Sequence, residues 1–246
     1  MGQAGRMVAS TRLLAFAKLT LSLRITGVRH DGYHLLDAEM VTVDLADELS
    51  VGEGDGLEIS GPARAGVFAG DRNLVHRALV AAGRTAHVHL HKRIPAGAGL
   101  GGGSADAAAI LRWAGVSDPA VAVALGADVP FCVTGGRARV TGVGETVEPL
   151  PFDTRTFTLL TPPIRVSTPA VYRRWDELGG PHGPGPNDLE EAALSVEPRL
   201  AEWRDKLRDR TGVLPVLAGS GSTWFVEGAF EGPDLVPVRT ALPVFG

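Results

Sequence analysis

The segment from residue 95 to residue 105 has the composition of a phosphate-binding loop. It reads PAGAGLGGGSA, with five glycines from Gly97 to Gly103. Glycines at this density allow positive φ angles and let backbone N–H groups approach a ligand closely, because no Cβ stands in the way. The Ala-rich run that follows favours a helix with Ser104 as its N-cap. Since the amides at a helix N-terminus attract anions, the segment predicts a phosphate site.

Two common phosphate motifs fit this segment poorly. A Walker A loop has a lysine before its Ser or Thr, and Gly103 occupies that position. Gly97, Gly99 and Gly102 spell the dinucleotide fingerprint, but the strand before such a fingerprint is buried on both faces and continuously apolar. Here residues 86–95 alternate between polar and apolar side chains, as a strand with one solvated face does. A flexible linker is the third alternative, which a predicted strand before the loop and a predicted helix after it disfavour.

The elements that must position this loop follow from periodicity and turn residues. Every odd-numbered residue from Leu13 to Ile25 is apolar, which predicts a strand with one apolar face. Further strands are predicted at 38–45, 86–94, 137–147 (as a pair), 156–160, 213–217 and 223–227, a hairpin at 48–60, and helices ending at residue 82 and spanning 104–114, 120–125 and 198–210. Because strands and helices mix without regular βαβ alternation, the predicted fold class is α+β.

Length and composition indicate a globular protein that takes small-molecule substrates. A chain of 246 residues holds one large domain or two modest ones, and Pro149–Pro151 predicts a boundary between domains 1–148 and 149–246. The net charge of −4 and the lack of Lys/Arg-rich runs argue against a nucleic-acid partner. Anionic substrates would therefore be held by local groups rather than by a basic surface.

Cysteine content and hydropathy predict a cytoplasmic protein. The single Cys132 excludes an internal disulfide and fits a reducing compartment. The apolar stretch at 13–17 is too short for a signal peptide and runs into Lys18. No apolar stretch approaches the length of a membrane span, so no membrane partner is expected.

Five segments of the chain, in the same order, resemble those of the GHMP kinases (galactokinase, homoserine kinase, mevalonate kinase and relatives). They are the glycine loop with its helix start, Ala17–Leu23, Arg29–His34, Leu125–Phe131 and Ala218–Phe225. The resemblance implies a two-lobed fold with mixed or antiparallel sheets, an active site between the lobes, and transfer of phosphate from ATP, with Mg²⁺, to an alcohol.

The segment Arg29–His34 narrows the expected acceptor. It is similar to the segment of those family members that phosphorylate the 2-hydroxyl of a cytidine diphosphate sugar alcohol in non-mevalonate isoprenoid synthesis. The alternatives are a GHMP kinase of the mevalonate or homoserine type, against which this segment argues, and a nucleotide-binding protein without catalysis. Retention of both Lys18 and Asp128 argues against the last alternative.

Lys18 and Asp128 are the predicted catalytic residues. Lys18 is the lone charge in an apolar strand, where burial is costly unless the ammonium meets an anion. A snorkelling lysine on a solvated face is the alternative. Asp128 lies in a predicted loop and could accept the proton of the attacking hydroxyl or orient it. Its alternative is a turn aspartate that hydrogen-bonds its own backbone.

The phosphate loop is the predicted ATP site. Its members are Pro95, Ala96, Gly97, Ala98, Gly99, Leu100, Gly101, Gly102, Gly103, Ser104 and Ala105. Ser104 has two open roles, as an N-cap alone or as a hydroxyl donor to phosphate or Mg²⁺. Asp106 is placed in the first helical turn, where a carboxylate favours the helix dipole, and is not assigned to a metal.

The resemblance also implies the residues that bind the acceptor: Thr20, Tyr33, His34, Tyr172, Gly219 and Ser220. Tyr33 and His34 would contact the cytidine diphosphate end, with a surface aromatic and a solvated histidine as the alternative. Tyr172 would stack on cytosine, with core packing as the alternative. Gly219 and Ser220, together with Ser222 as a second hydroxyl donor, would line the acceptor or terminal phosphate site. Thr20 departs from the family, where asparagine is usual, which leaves its acceptor contact in doubt.

Three histidines on one strand face do not predict a metal site. His87, His89 and His91 alternate along residues 86–94. Zinc sites usually draw their ligands from more than one element, so no metal ligand is assigned to them.

Overall fold

The computed structural model describes residues 10–242, so the first nine residues of the predicted N-terminal domain and the last four of the C-terminal domain lie outside the described range. The strands are β1 (Thr11–Val28), β2 (His34–Gly52), β3 (Gly56–Ser60), β4 (His87–His91), β5 (Arg137–Gly142), β6 (Thr146–Pro149), β7 (Thr156–Leu160), β8 (Val216–Leu217), β9 (Trp224–Glu227) and β10 (Leu235–Arg239). The helices are α1 (Leu74–Ala81), α2 (Gly102–Trp113), α3 (Pro119–Leu125), α4 (Val129–Thr134), α5 (Thr168–Glu177), α6 (Glu190–Val196) and α7 (Leu200–Thr211).

A six-stranded mixed sheet forms the first layer, and the predicted α+β class is confirmed. Its order is β3-β4-β2-β5-β6, and β1 pairs along the other edge of β2. Helix α2 packs against α1, α4 and β1. All strands of this sheet end by Pro149, and the four-stranded antiparallel sheet β10-β7-β9-β8 begins at Thr156. The domain boundary after residue 148 stays a prediction.

Bulges in β1 make the prediction of a single apolar face wrong. The register between β1 and β2 shifts at Phe16/Lys18, Thr20/Ser22 and Ile25/Gly27. At Phe16/Lys18 strand β2 carries two extra residues, and at the other two points β1 carries one extra residue; such irregularities let the side chains beyond them change face. Ala15, Leu23 and Ile25 therefore pack in the main core, whereas Ala17 and Leu19 pack in a second core. The bulges also leave Lys18 and Thr20 buried on the opposite face of β1 from Ala17 and Leu19.

The second core joins the two sheets and includes the phosphate loop. Its buried members come from β1, β2, the loop and the second sheet: Ala17, Leu19, Val41, Val43, Ile94, Ala98, Leu100, Phe157, Leu159, Ala218, Phe225 and Val238. Two residues of the loop are thus anchored in apolar packing between the sheets, which leaves the intervening amides for a ligand.

The predicted hairpin at 48–60 is wrong in its pairing. The chain reverses at Gly52–Gly56, but β3 pairs in parallel with β4, and β4 lies between β3 and β2. Sequence analysis missed helix α5, which begins at Thr168 with Pro169 in its first turn, where a missing backbone N–H costs no helical hydrogen bond. Sequence analysis also missed α4, α6 and β10. Within the described range, no helix combines the length and apolar character of a membrane span.

Candidate active site

The phosphate loop connects β4 to α2, and the helix begins at Gly102 rather than at Ser104. Gly101 is the N-cap, in the left-handed conformation with φ of +66°, and makes no side-chain cap hydrogen bond. The prediction of Ser104 as N-cap is therefore wrong, because the glycine amides themselves take helical geometry. Ser104 instead faces the cavity beside the loop. Asp106 consequently lies beyond the first turn.

Two neighbouring segments hold the loop in place. The amide of Lys18 donates to the carbonyl of Leu100 at 3.1 Å, and the amide of Thr223 donates to the carbonyl of Ala98 at 3.1 Å. A Cβ added at Gly99 would overlap the carbonyl oxygen of Ala218. Glycine at this position is therefore required by close approach of the two glycine-rich segments.

Lys18 and Asp128 meet beside the loop. The Lys18 Nζ lies 3.5 Å from the Asp128 Oδ2 and donates a hydrogen bond to the Thr20 Oγ1 at 3.0 Å. Lys18 is buried, whereas the Asp128 side chain is 32% exposed. A Cβ at Gly101 would lie 2.8 Å from the Lys18 Cγ and 3.6 Å from the Asp128 Oδ2. The sequence alternative of a snorkelling lysine is excluded, since the ammonium is buried and paired.

Asp128 keeps its carboxylate available for chemistry. It precedes α4 as the N-cap residue, but its side chain makes no cap hydrogen bond within the described residues. The alternative of a turn aspartate bonded to its own backbone is therefore not what the structure has. A carboxylate paired only with an ammonium and partly open to solvent can accept a hydrogen bond from an incoming hydroxyl.

A cavity of about 840 Å³, here called the phosphate-loop cavity, lies over the loop. Its floor contains the predicted ATP-binding residues from Pro95 to Ser104, apart from Leu100, together with Asp128. Leu100 and Ala105 are buried. The cavity is also lined by the segment 66–74, which sequence analysis did not select and in which Phe68 is 79% exposed. An exposed aromatic side chain in the same cavity as a phosphate loop suits the base of a nucleotide.

A second cavity of about 410 Å³, here called the tyrosine cavity, holds the predicted acceptor residues Tyr33, His34 and Tyr172. Tyr33 is 63% exposed at its edge. The His34 ring lies 4.8 Å from the Tyr172 ring, and its Nε2 bonds the Asp176 Oδ1 at 2.8 Å. Tyr172 lies on α5, and burial, with a smaller contribution from the Asp128 carboxylate, raises the pKa of its phenol. The structure therefore brings these three residues together, as the resemblance implies.

The two cavities meet at Asp128 and Thr168. Thr168 lines both, Asp128 lines the phosphate-loop cavity, and its neighbour Ala127 lines the tyrosine cavity. The Thr168 Oγ1 lies 2.8 Å from the Ser220 Oγ. This contact brings the glycine-containing segment Ala218–Phe225, here called the second glycine motif, to the junction. A group bound in the tyrosine cavity can thus reach toward a phosphate held by the loop.

The second glycine motif divides between this junction and another cavity. A Cβ at Gly219 would lie 3.4 Å from the Lys18 Nζ, so Gly219 borders the Lys18–Asp128 pair. Asn187, which sequence analysis missed, donates to the Gly219 carbonyl at 2.7 Å and so shapes the motif. Ser222 does not join them: its buried hydroxyl has no partner among the described residues, and Ser222 lines a different cavity, which shares Pro95 with the phosphate-loop cavity.

A buried ion cluster of Lys92, Asp47 and Asp106 links both flanks of the loop. The Lys92 Nζ donates to Asp47 and, at 2.7 Å, to the Asp106 Oδ2. The Asp47 Oδ1 also accepts the backbone N–H of Ile94 at 2.9 Å. Asp47 on β2 thus holds the chain entering the loop, and Lys92 ties it to Asp106 on the helix leaving the loop. Buried charges of this kind require such pairing.

This cluster could have been found from strand periodicity. Lys92 follows Val88 and Leu90 on the inward-facing positions of its strand, and Asp47 precedes Leu49 and Val51 on those of β2. A charged residue continuing an apolar face signals a buried ion pair.

Burial raises the pKa of Asp106 to about 7, with Lys92 opposing the shift. Asp47 accepts two further backbone hydrogen bonds, whereas the Asp106 Oδ1 has no partner within the described range. Asp106 therefore carries a proton in part of the molecules near neutral pH.

We expect Asp106→Asn to flatten the pH dependence of stability. Because the folded-state pKa of Asp106 is raised above its unfolded value, its contribution to stability is complete below about pH 4 and is lost as the pH rises through about 7. Asparagine keeps the shape and does not titrate. Urea unfolding between about pH 5 and 8 measures the effect, with the exposed Asp209→Asn as control. An unchanged pH slope in Asp106→Asn would contradict the assignment.

Comparisons with known proteins agree with this geometry. The family model described as the GHMP kinases N terminal domain matches residues 73–136. A relative from Paracoccus denitrificans, named 4-diphosphocytidyl-2-C-methyl-D-erythritol kinase, is 41% identical over 234 residues, which covers 87% of this chain and 85% of the relative. A relative of the same name from Ruegeria pomeroyi is 39% identical, with coverage of 85% of each chain.

A solved structure gives the same answer. The crystal structure of a 4-(cytidine 5'-diphospho)-2C-methyl-D-erythritol kinase superposes with a TM-score of 0.73 at 35% identity and covers 94% of this chain and all of the other. At this identity and coverage, the similarity extends over most of the chain. The chain is therefore a GHMP kinase and belongs to the family of the 4-diphosphocytidyl-2-C-methyl-D-erythritol kinases.

Proposed function

We propose that this protein transfers the γ-phosphate of ATP to the 2-hydroxyl of 4-diphosphocytidyl-2-C-methyl-D-erythritol. The observation that carries the proposal is the Lys18–Asp128 pair, 3.5 Å apart at the junction of the phosphate-loop cavity and the tyrosine cavity. One cavity is suited to a nucleotide donor and the other to an acceptor with an aromatic base. We place the active site between domains 1–148 and 149–246.

The phosphate loop holds the donor. Its unpaired amides and the N-terminus of α2 would bind the β- and γ-phosphates of ATP. Mg²⁺ prefers oxygen ligands and retains several waters, so the Ser104 hydroxyl, which is free of the capping role, fits one position beside the phosphates. Bound Mg²⁺ would neutralise charge on the phosphates.

Lys18 and Asp128 act on the reacting groups. Asp128 accepts a hydrogen bond from the acceptor hydroxyl, orients it toward the γ-phosphorus, and receives its proton as the new P–O bond forms. Lys18 stabilises negative charge on the transferred phosphoryl group and, through its ion pair, holds the Asp128 carboxylate beside the reacting groups. Thr20, which stands where asparagine is usual in the family, holds the ammonium through its hydroxyl.

The tyrosine cavity binds the remote end of the acceptor. Tyr33 and Tyr172 offer rings for stacking on cytosine, and the His34 ring is held by Asp176 and by Tyr172. A cytidine group anchored there supplies binding energy that orients the reacting hydroxyl at Asp128. Mevalonate and homoserine carry no nucleobase and would leave this cavity unfilled.

The proposal predicts a narrow choice of acceptor. With MgATP, the purified protein should phosphorylate the diphosphocytidyl acceptor and ignore mevalonate and homoserine. Methylerythritol lacking the cytidylyl group should lose kcat as well as affinity, because remote binding energy is used at the reacting centre. A coupled assay for ADP release measures all four. Efficient turnover of mevalonate or homoserine without turnover of the diphosphocytidyl compound would refute the proposed acceptor. ATP binding without turnover of any acceptor would favour a non-catalytic nucleotide-binding protein.

A further inference from the structure

Arg173 places a guanidinium at the wall of the tyrosine cavity. Helix α5 lines this cavity with one face, made by Thr168, Pro169, Tyr172, Arg173 and Asp176. Arg173 is exposed, and in the part of the chain that the structure describes it makes neither an ion pair nor a side-chain hydrogen bond. It is adjacent in sequence to Tyr172, the ring proposed to stack on cytosine.

The neighbouring carboxylates are arranged so that Arg173 stays free. Asp176 lies three residues further along the helix, a spacing at which helix ion pairs form readily. Its carboxylate bonds His34 at 2.8 Å instead. The next residue, Arg174, does use its partner at this spacing: it bonds Glu177 at 3.0 Å and also Ser195 at 2.8 Å. Two adjacent arginines on one helix therefore differ in that only Arg174 is neutralised.

The charge around the cavity explains the need for such a cation. Asp176 lies in its wall, Asp128 adjoins it, and the whole chain has a net charge of −4. Lys18 offsets the Asp128 charge and Arg29 lies beside the Tyr33 ring, so Arg173 adds a cation where the Asp176 carboxylate would otherwise oppose the entry of an anion. A diphosphate must nevertheless lie between a base stacked at Tyr172 and a hydroxyl held at Asp128.

We propose that Arg173 binds the diphosphate of the acceptor and makes the site selective for a nucleoside diphosphate over the bare nucleoside. The inference rests on the proposed function. A guanidinium matches phosphate oxygens with two parallel N–H donors, and an exposed position leaves the phosphates partly hydrated. Arg173 acts in recognition and takes no part in phosphoryl transfer.

The test compares cytidine, cytidine monophosphate and cytidine diphosphate as ligands of four proteins by calorimetry. In the wild type, affinity should rise as phosphates are added. In Arg173→Gln the gain from cytidine to cytidine diphosphate should shrink by about 10-fold or more, the scale of a lost charge-assisted hydrogen bond, while cytidine affinity is retained. Arg174→Gln should match the wild type, and Arg173→Lys should recover part of the gain.

Kinetics provide the second readout. Arg173→Gln should raise KM for the diphosphocytidyl acceptor by about 10-fold or more with KM for ATP unchanged, and added salt should reduce the difference from wild type. An unchanged acceptor KM in an active Arg173→Gln, or an equal loss of cytidine affinity, would overturn the assignment to the diphosphate. Failure of the wild type to phosphorylate the acceptor would instead overturn the proposed function. The calorimetric series of cytidine ligands would still test whether Arg173 binds the diphosphate.

Discussion

Replacing Asp128 by asparagine is expected to lower kcat by about 10²-fold or more, the usual contribution of a positioned general base. The amide keeps the size of the side chain but cannot take a proton from the acceptor hydroxyl. Affinity for ATP should change little, because the amides of the phosphate loop hold the phosphates. Steady-state kinetics with the diphosphocytidyl acceptor, combined with calorimetry for ATP, separate the two quantities.

Asp209→Asn serves as the matched control for this substitution. Asp209 is exposed and bonds only its neighbour Arg208 within the described residues, so its variant should behave as wild type. Near-wild-type turnover of Asp128→Asn would remove Asp128 from the reaction. A loss of ATP affinity equal to the loss of kcat would assign Asp128 to nucleotide binding.

Replacing Gly101 by valine is expected to abolish measurable ATP binding. Gly101 has φ of +66°, which a β-branched residue rarely adopts, and the new Cβ would lie 2.8 Å from the Lys18 Cγ. Displacement of Lys18 by itself should weaken the affinity for ATP by at least about 10-fold, the scale of a lost charged contact. Calorimetry measures the affinity, and circular dichroism shows whether the protein remains folded.

Gly115 provides a control with the same backbone strain. Its φ is +72°, and a Cβ there meets nothing within 4 Å. Gly115→Val should therefore lose stability without losing ATP affinity. If Gly101→Val does not fold, Gly101→Ala applies the same crowding with less strain. Unchanged ATP affinity in folded Gly101→Ala would show that this glycine is needed for the backbone conformation and not for ATP binding.

Lys18 and the phosphate loop could be selected from the sequence because each lies in a short segment of unusual composition, whereas Asp128 was selected because its segment resembles that of the GHMP kinases. Lysine in an apolar strand and glycines before an Ala-rich helix are local signals, and the structure brings the two segments together. The cap was mispredicted because serine competes with glycine for the same role. Gly101 precedes the helix in the left-handed conformation, and its backbone carbonyl already accepts the amide of Ala105 at 2.8 Å.

Other features depend on contacts between distant segments and leave weaker local signals. The chain reverses between β2 and β3 as its glycines indicate, but β4 enters between the two strands, which no local pattern encodes. Arg173 has no ion-pair partner among the described residues because the Asp176 carboxylate bonds His34 on β2 instead. Lys92 and Asp47 are the exception: sequence analysis missed them, but each is a charged residue that continues the apolar face of a strand and could have been recognised from that pattern.

The position of the transferred phosphate tests the central claim most directly. Carbon 2 of the acceptor bears a methyl group and no hydrogen, so a phosphate on its hydroxyl has no proton three bonds away. The proton-coupled ³¹P spectrum of the product formed with MgATP should therefore show the new phosphomonoester as a singlet beside the retained diphosphate signals. A new signal split by protons would place the phosphate on another hydroxyl, and no new phosphomonoester at all would contradict phosphoryl transfer at the Lys18–Asp128 site.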